Sequence, residues 1–261
     1  MTYFDDLFSA HQHLFAHYND LAVRLSDEQL KVQSLCPDWD VRGVITHAIG
    51  AEFWVTGWQP SATERPSFER MAEFEARARG ASRAEFARLV ADVTATRLEE
   101  LSQLTPDVLE LPALTPAGLA TYGRMLRIRV FDLWVHTRDI ALPLGESLDD
   151  SGLAAELVLD EVSDALGYVV GKLIGLPDSM SVAFRIRGAV ERDILLRVDG
   201  RAKQVAHLDS PDVELSTDVA TFVMLAAGRV NAQAQIDSGK VSCSGDPYWA
   251  KATALNLAYT P

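Results

Sequence analysis

The stretch RVFDLWVHTRD, residues 129–139, decides the fold of this 261-residue chain because it combines an apolar helix with a line of polar side chains. The residues around it are mostly apolar, which predicts a helix that is largely buried. Four of the polar residues within it recur at intervals of three, four and three. At roughly 100° per residue, this spacing confines them to an arc of about 80°. They are Arg129, Asp132, His136 and Asp139.

This polar line needs partners, because an unpaired buried carboxylate costs on the order of several kcal/mol. Asp132 and His136, four residues apart, can point an oxygen and a nitrogen at one ion. We expect a third ligand from another helix, and His47, within the apolar segment VITHAI, is the candidate. Two nitrogens and one carboxylate oxygen favour zinc and leave a fourth position open for water or substrate. Asp139 is then expected to accept a hydrogen bond from an imidazole N–H in the outer shell.

The same spacing also fits a purely structural role. In that alternative Arg129 pairs with Asp132, while Asp139 pairs with Arg138 or caps a neighbouring helix. The two histidines would then be hydrogen-bonded core residues. Spacing alone does not choose between a metal site and buried ion pairs.

The first part of the chain has helical periodicity from Phe4 to about Ala141. Ser26–Gln29 has the pattern of a capping box, and Asp40 is placed to cap the second long helix. Prolines within residues 105–118 predict an irregular crossover. The predicted helices cover residues 4–25, 41–58, 68–104 as one long helix or two consecutive ones, 119–142 and 151–173.

The periodicity changes from about 3.6 to about 2 after Leu176-Pro177-Asp178. Alternating apolar residues predict a hairpin over residues 182–186 and 194–198, with further strands at 213–216 and 241–243. Helices are predicted after Asp218 and from Pro247. We therefore predict two domains, a helical bundle over residues 1–175 and a small α+β unit over residues 176–261.

Composition excludes several classes of function. The net charge of -13 would repel a phosphate backbone, so nucleic acid is not an expected partner. Apolar stretches are too short to span a bilayer and the start of the chain lacks a basic segment, so we expect no membrane partner and a cytoplasmic location. Cys36 and Cys243 form no CxxC pair, and no GxSxG, P-loop or GxGxxG motif is present.

Several motifs together resemble one family. The segments LSDEQL (25–30), SLCPDWDVR (34–42) and VITH (44–47) resemble the opening of the mycothiol-dependent maleylpyruvate isomerase family. Residues 129–139, with their Asp-x-x-x-His pattern, resemble its second metal motif. The segments GRV (228–230) and VSCSGD (241–246) resemble its C-terminal domain, so the likeness covers nearly the whole chain in the same order.

The resemblance implies a DinB-like four-helix bundle followed by a sterol-carrier-like α+β domain. The family's metal ligands are a histidine on the second helix and a Glu-x-x-x-His pair, which carry over onto His47, Asp132 and His136. Asp132 departs from the usual Glu by one methylene, so the ion must lie closer to that helix or the helices must shift. Arg229 matches an arginine implied to face the substrate's carboxylate, but it could equally be an exposed residue after a helix-ending glycine.

The function implied is that of a metal-dependent enzyme with mycothiol as cosubstrate. A thiol at the open metal position would lose its proton more readily and attack a small electrophile. The product would be either an S-conjugate or, after addition to a cis double bond and release, its isomer. An alternative hypothesis is a non-enzymatic small-ligand-binding or regulatory protein of the same fold, which the shortened carboxylate of Asp132 keeps open.

Overall fold

The computed structural model describes residues 2–260, and the chain divides into two compact units, residues 1–148 and 149–261. The predicted combination of a helical unit with an α+β unit is confirmed. Within residues 2–260, no helix is long and apolar enough to cross a membrane.

The first unit is a helical bundle. Its helices are α1 Tyr3–Arg24, α2 Asp27–Leu30, α3 Val41–Val55, α4 Glu69–Gly80, α5 Arg83–Ser102 and α6 Tyr122–Ala141. Helix α1 packs on α5 and α6, and α3 packs on α4, α5 and α6. The helices α1, α3, α5 and α6 therefore enclose one apolar core, with α4 added on the side of α3.

The starts of these helices are set by local capping. Ser26 and Gln29 form the predicted capping box, and the Asp40 side chain accepts a hydrogen bond from the Gly43 N–H at 2.7 Å. Ser82 and Glu85 form a further box that starts α5. The segment 68–104 therefore forms two helices, because α4 ends at Gly80 and α5 begins after the Ser82 cap.

One prediction in this unit is wrong. Residues 105–118 are not simply irregular, because Pro106–Glu110 is a 3-10 turn and a hairpin follows, with β1 Pro112–Thr115 and β2 Gly118–Thr121. Gly118 has a φ of +98°, which closes the turn, and the Thr115 hydroxyl donates to its carbonyl at 2.8 Å. Helix α6 consequently begins at Tyr122, later than predicted.

The second unit combines helices with one sheet. Its elements are α7 Gly152–Tyr168, a π-helical segment Val169–Ile174, β3 Ser181–Ile186, β4 Arg192–Asp199, β5 Arg201–Gln204, β6 Val213–Thr217, α8 Val219–Ala226, α9 Ala232–Asp237, β7 Ser242–Gly245 and α10 Pro247–Leu255. The five strands form one sheet in the order β5-β4-β3-β6-β7. Strands β3 and β6 are parallel and the other neighbours are antiparallel, so the predicted β3–β4 hairpin is confirmed. Helices α8 and α10 follow the caps Asp218 and Asp246.

The division between the units falls earlier than the predicted boundary at 175/176. Helix α7 packs on α8 and β5, and Arg192 of β4 forms ion pairs with Glu156 and Asp160 of α7. The helix therefore belongs to the second unit. The change of periodicity marks where strands begin, but it does not indicate which unit the preceding helix, α7, packs against.

Candidate metal centre

The three predicted ligands lie together in the first unit. His47 comes from α3, while Asp132 and His136 lie one turn apart on α6, the helix that packs on α3. One potential ligand atom from each residue lies within 4.8 Å of the others, and Nε2 of His136 is 3.6 Å from Oδ1 of Asp132. Ligand atoms around tetrahedral zinc are about 3.3 Å apart for bonds of roughly 2.0–2.1 Å. The donor set and its spacing therefore fit a divalent cation after small adjustments.

The burial of these side chains leaves the group accessible from one side. His136 is buried, His47 is half-buried, and the Asp132 side chain is 25% exposed. A cavity of about 450 Å³ adjoins His47 and is lined by polar side chains and one tryptophan. The lining includes Trp39, Thr46, Glu75 and Arg79.

His136 uses its two ring nitrogens for different neighbours. Nδ1 lies 2.8 Å from Oδ2 of Asp139, which is fully buried, and Nε2 faces Asp132. A proton held on Nδ1 by this carboxylate leaves the Nε2 lone pair for a cation. The structure thus brings Asp139 to the side of His136 that lies away from the other two ligands.

Charges within the group shift two pKa values in opposite directions. Burial alone would raise the pKa of Asp132, but Arg129, His136 and His47 lower it to about 2. Burial alone would lower the pKa of His136, but the neighbouring carboxylates of Asp132 and Asp139 raise it to about 9. At neutral pH the metal-free site therefore keeps a proton on His136 beside the ionised carboxylate of Asp132, and a bound cation would take the place of that proton.

Arg129 pairs with Asp132, as the structural alternative expected, but it contacts the other oxygen. Nη2 of Arg129 lies 3.1 Å from Oδ2 of Asp132, whereas Oδ1 faces His136. Ion pairing and metal ligation by Asp132 are therefore compatible. Each uses one oxygen of the same carboxylate.

Sequence reasoning missed the other partner of Arg129. Nε of Arg129 lies 2.8 Å from Oε1 of Glu52, and the second oxygen of Glu52 lies 3.2 Å from Nε of Arg97. Glu52 is fully buried and interrupts an otherwise apolar segment of α3. The same signal that singled out His47 could have found Glu52.

Cys36 is buried and belongs to no CxxC pair. Its Sγ lies 3.2 Å from Oδ2 of Asp139 and 4.0 Å from Nδ1 of His136. These three residues also offer closely spaced ligand atoms. Because Asp139 and His136 are already at hydrogen-bond distance, we interpret the group as a hydrogen-bonded chain behind His136.

Arg229 belongs to the second unit and follows Gly228, whose φ of +68° ends α8 as predicted. Its Nη1 donates to the Ala227 carbonyl at 2.9 Å, and the side chain is half-buried. The guanidinium is thus anchored to the turn that presents it.

Comparison with known proteins identifies the family. Residues 11–141, half of the chain, match the mycothiol maleylpyruvate isomerase N-terminal domain. The chain belongs to the mycothiol maleylpyruvate isomerase family. Residues 179–254 match the SCP-2 sterol transfer family. A search of curated proteins found no match.

Two crystal structures of family members have the same fold. Both are of a mycothiol-dependent maleylpyruvate isomerase, one of them a histidine-to-alanine mutant, and each is 16% identical to this chain. The TM-scores are 0.60 and 0.59, and the matches cover 94% of this chain and 95% of the other. The resemblance inferred from the motifs is therefore confirmed. The predicted order of a helical bundle followed by a sterol-carrier-like α+β domain is confirmed as well.

Proposed function

We propose that this chain is a metal-dependent enzyme that uses mycothiol, either transferring the thiol to a small electrophile or isomerising a maleylpyruvate-type cis double bond. The observation that carries the proposal is the convergence of His47, Asp132 and His136 on one partly open point. Family membership supports it, because the related structures are described as mycothiol-dependent.

The three ligands would hold a divalent cation, preferably zinc, with one position left for the thiol. When bound, such a cation lowers the pKa of a thiol and makes thiolate available at neutral pH. The protein's own cysteines are not required for this chemistry.

The surrounding residues orient the ligands. Asp139 keeps the proton of His136 on Nδ1, and Arg129 holds Oδ2 of Asp132 so that Oδ1 faces the histidines. Asp132 is one methylene shorter than the family's usual glutamate, yet its oxygen lies 3.6 Å from Nε2 of His136. This distance supports the proposal that the shorter carboxylate still serves as a ligand.

Mycothiol and the electrophile need separate contacts. We propose that the polar part of mycothiol occupies the cavity beside His47, where Glu75, Arg79 and Thr46 offer hydrogen-bonding groups. We propose that Arg229 binds the carboxylate of an anionic electrophile, as the family resemblance implies.

A second candidate function is a non-enzymatic protein that binds a small apolar ligand. The match of residues 179–254 to the SCP-2 sterol transfer family favours it. In that case neither a metal nor mycothiol would be needed.

The test combines metal analysis with turnover. Protein purified without a metal-affinity tag should contain about one equivalent of metal and convert maleylpyruvate, or a haloaromatic electrophile, in the presence of mycothiol. His136→Ala and His47→Ala should lose the metal and at least about 100-fold in kcat/KM, since even outer-shell partners of metal ligands contribute roughly 10- to 100-fold. Arg229→Gln should keep the metal and raise KM for an anionic electrophile.

The matched control is His13→Ala, which removes an exposed histidine from α1. It should change neither the metal content nor kcat/KM. Wild-type protein without metal, or full activity of His136→Ala, would contradict the proposal of a metal-dependent enzyme. Binding of an apolar ligand by metal-free protein would instead favour the second candidate.

A further inference from the structure

The loop between α2 and α3, residues 33–40, contacts the environment of both histidine ligands. Cys36 reaches Asp139, the hydrogen-bond partner of His136, and Trp39 lies against His47. The two contacts come from side chains only three residues apart. Neither is a candidate ligand of the three-residue site, so both act on it from outside.

The first contact continues the hydrogen-bonded chain behind His136. The Cys36 thiol lies 3.2 Å from Oδ2 of Asp139, the same oxygen that lies 2.8 Å from Nδ1 of His136. A thiol that donates to this oxygen helps to hold the carboxylate in one rotamer. Cys36 is only 6% exposed, so water cannot readily replace the thiol as donor.

The second contact is aromatic. The rings of Trp39 and His47 are stacked, with centroids 4.5 Å apart and an angle of 26° between their planes. The His47 and His136 rings meet edge to face at 5.1 Å. Trp39 therefore supports His47 from the side and limits rotation of its imidazole.

The loop that carries these side chains is firmly held. Nε2 of Gln33 lies 2.8 to 3.3 Å from four backbone carbonyls of the loop. The Ser34 hydroxyl donates to the Trp39 carbonyl at 2.6 Å and accepts from the Cys36 N–H. Leu35 N–H also donates to the backbone carbonyl of Asp139, which ties the loop to the end of α6.

We propose that Cys36 and Trp39 are positioning residues that set the orientation of the two histidine ligands, Cys36 through Asp139 and Trp39 by stacking. This inference rests on the proposed metal site. It predicts that changes at either residue alter the affinity and geometry of the metal centre, although neither side chain binds the metal.

The experiment measures the affinity of the full-length protein for zinc by competition with a chelator, and the absorption spectrum of its cobalt(II) form. Cys36→Ala should weaken zinc binding about tenfold, the lower end of outer-shell effects, whereas Cys36→Ser keeps a donor and should stay within about threefold of wild type. Trp39→Ala should weaken binding about fivefold, and Trp39→Phe should recover most of it because stacking is retained. Cys243→Ala is the matched control and should have no effect.

Thermal stability is measured in parallel, because a purely structural role would lower it without changing metal affinity at a temperature well below unfolding. Zinc affinities equal to wild type in Cys36→Ala and Trp39→Ala would overturn the inference. A cobalt–thiolate charge-transfer band would also overturn it, because Cys36 would then be a ligand. If Cys36→Ala does not fold, the positioning role is decided by comparing the zinc affinities and cobalt spectra of Trp39→Ala and Trp39→Phe.

Failure of the proposed function gives a different result. Wild-type protein that binds neither zinc nor cobalt would remove the metal site itself. If wild type binds zinc and the two Cys36 and two Trp39 variants bind it equally well, only the positioning role is rejected. The proposed function is then unaffected.

Discussion

Asp132 shares one carboxylate between two partners on opposite sides. Arg129 holds Oδ2 at 3.1 Å, and Oδ1 remains 3.6 Å from Nε2 of His136. Arg129 is itself held by Glu52, which is fully buried. The proposed cation would therefore meet a carboxylate that is already restrained, so binding it would cost little side-chain entropy.

His11 is a buried titratable residue outside the candidate metal centre. Burial lowers its pKa to about 4, and the positive charges of Arg97 and Arg129 act in the same direction, while Glu52 opposes them. Nδ1 of His11 is 2.8 Å from the Leu7 carbonyl. The folded protein therefore holds His11 as a neutral imidazole.

We predict that His11 makes folding sensitive to mild acid. Its folded pKa of about 4 lies below the ordinary 6.5, so the unfolded chain takes up this proton first as the pH falls. The contribution of neutral His11 to the free energy of unfolding is fully present above about pH 6.5 and is lost as the pH falls toward 4. Between about pH 7 and pH 5, wild type should lose about 2 kcal/mol more than His11→Phe, measured by urea unfolding.

The control for this prediction is His13→Phe, because His13 lies exposed on the same helix. Its stability should follow that of wild type across the same pH range. Equal acid sensitivity of wild type and His11→Phe would show that other groups cause the loss.

At the scale of elements, one buried carboxylate connects three helices. Glu52 of α3 pairs with Arg97 of α5 at 3.2 Å and with Arg129 of α6 at 2.8 Å. Burial alone would raise the pKa of Glu52, but the two guanidinium groups lower it overall. Because α6 carries two of the candidate ligands and α3 the third, this pairing also helps to set the distance between the candidate ligands.

We predict that Glu52→Gln strongly destabilises the bundle, because it leaves two buried guanidinium groups without their shared counter-charge. The loss should be about 3–5 kcal/mol in urea unfolding. Glu146→Gln removes the more exposed pair with Arg24 and should cost less than about 1 kcal/mol. Similar losses for the two variants would contradict a special role for Glu52.

The elements differ in how much of them the sequence predicts. Helix starts at Ser26 and Asp40 were predictable because a cap depends on residues three positions apart. The β1–β2 hairpin was missed because the prolines of residues 105–118 masked a short strand pair. Periodicity also placed the domain boundary after α7, since it reports local conformation rather than the partner that a helix packs against.

The candidate site shows the same limit. His136 and Asp132 were predictable from their spacing on one helix, and His47 from its place in an apolar segment. The contact between Cys36 and Asp139 joins residues 103 positions apart, and no local pattern records it. Asp139 could be expected to support a histidine, but the Cys36 thiol that donates to the same carboxylate oxygen appeared only in the folded chain.

At the scale of the whole molecule, the candidate ligands and their supporting residues all lie in the first unit. The second unit, in contrast, contains the matched sterol-transfer segment and Arg229. The proposed cation should therefore stabilise the first unit directly.

We predict that zinc raises the unfolding temperature of the first unit specifically. At a zinc concentration about 100 times Kd, binding adds about 2.7 kcal/mol, which corresponds to roughly 5 to 10 °C for a unit of this size. Trp249→Phe makes tryptophan fluorescence report this unit alone, because the remaining tryptophans, at 39, 54, 58 and 134, lie within residues 1–148. The increase should disappear when His136→Ala is added to that variant. An equal increase without His136 would mean that zinc stabilises the protein at another site.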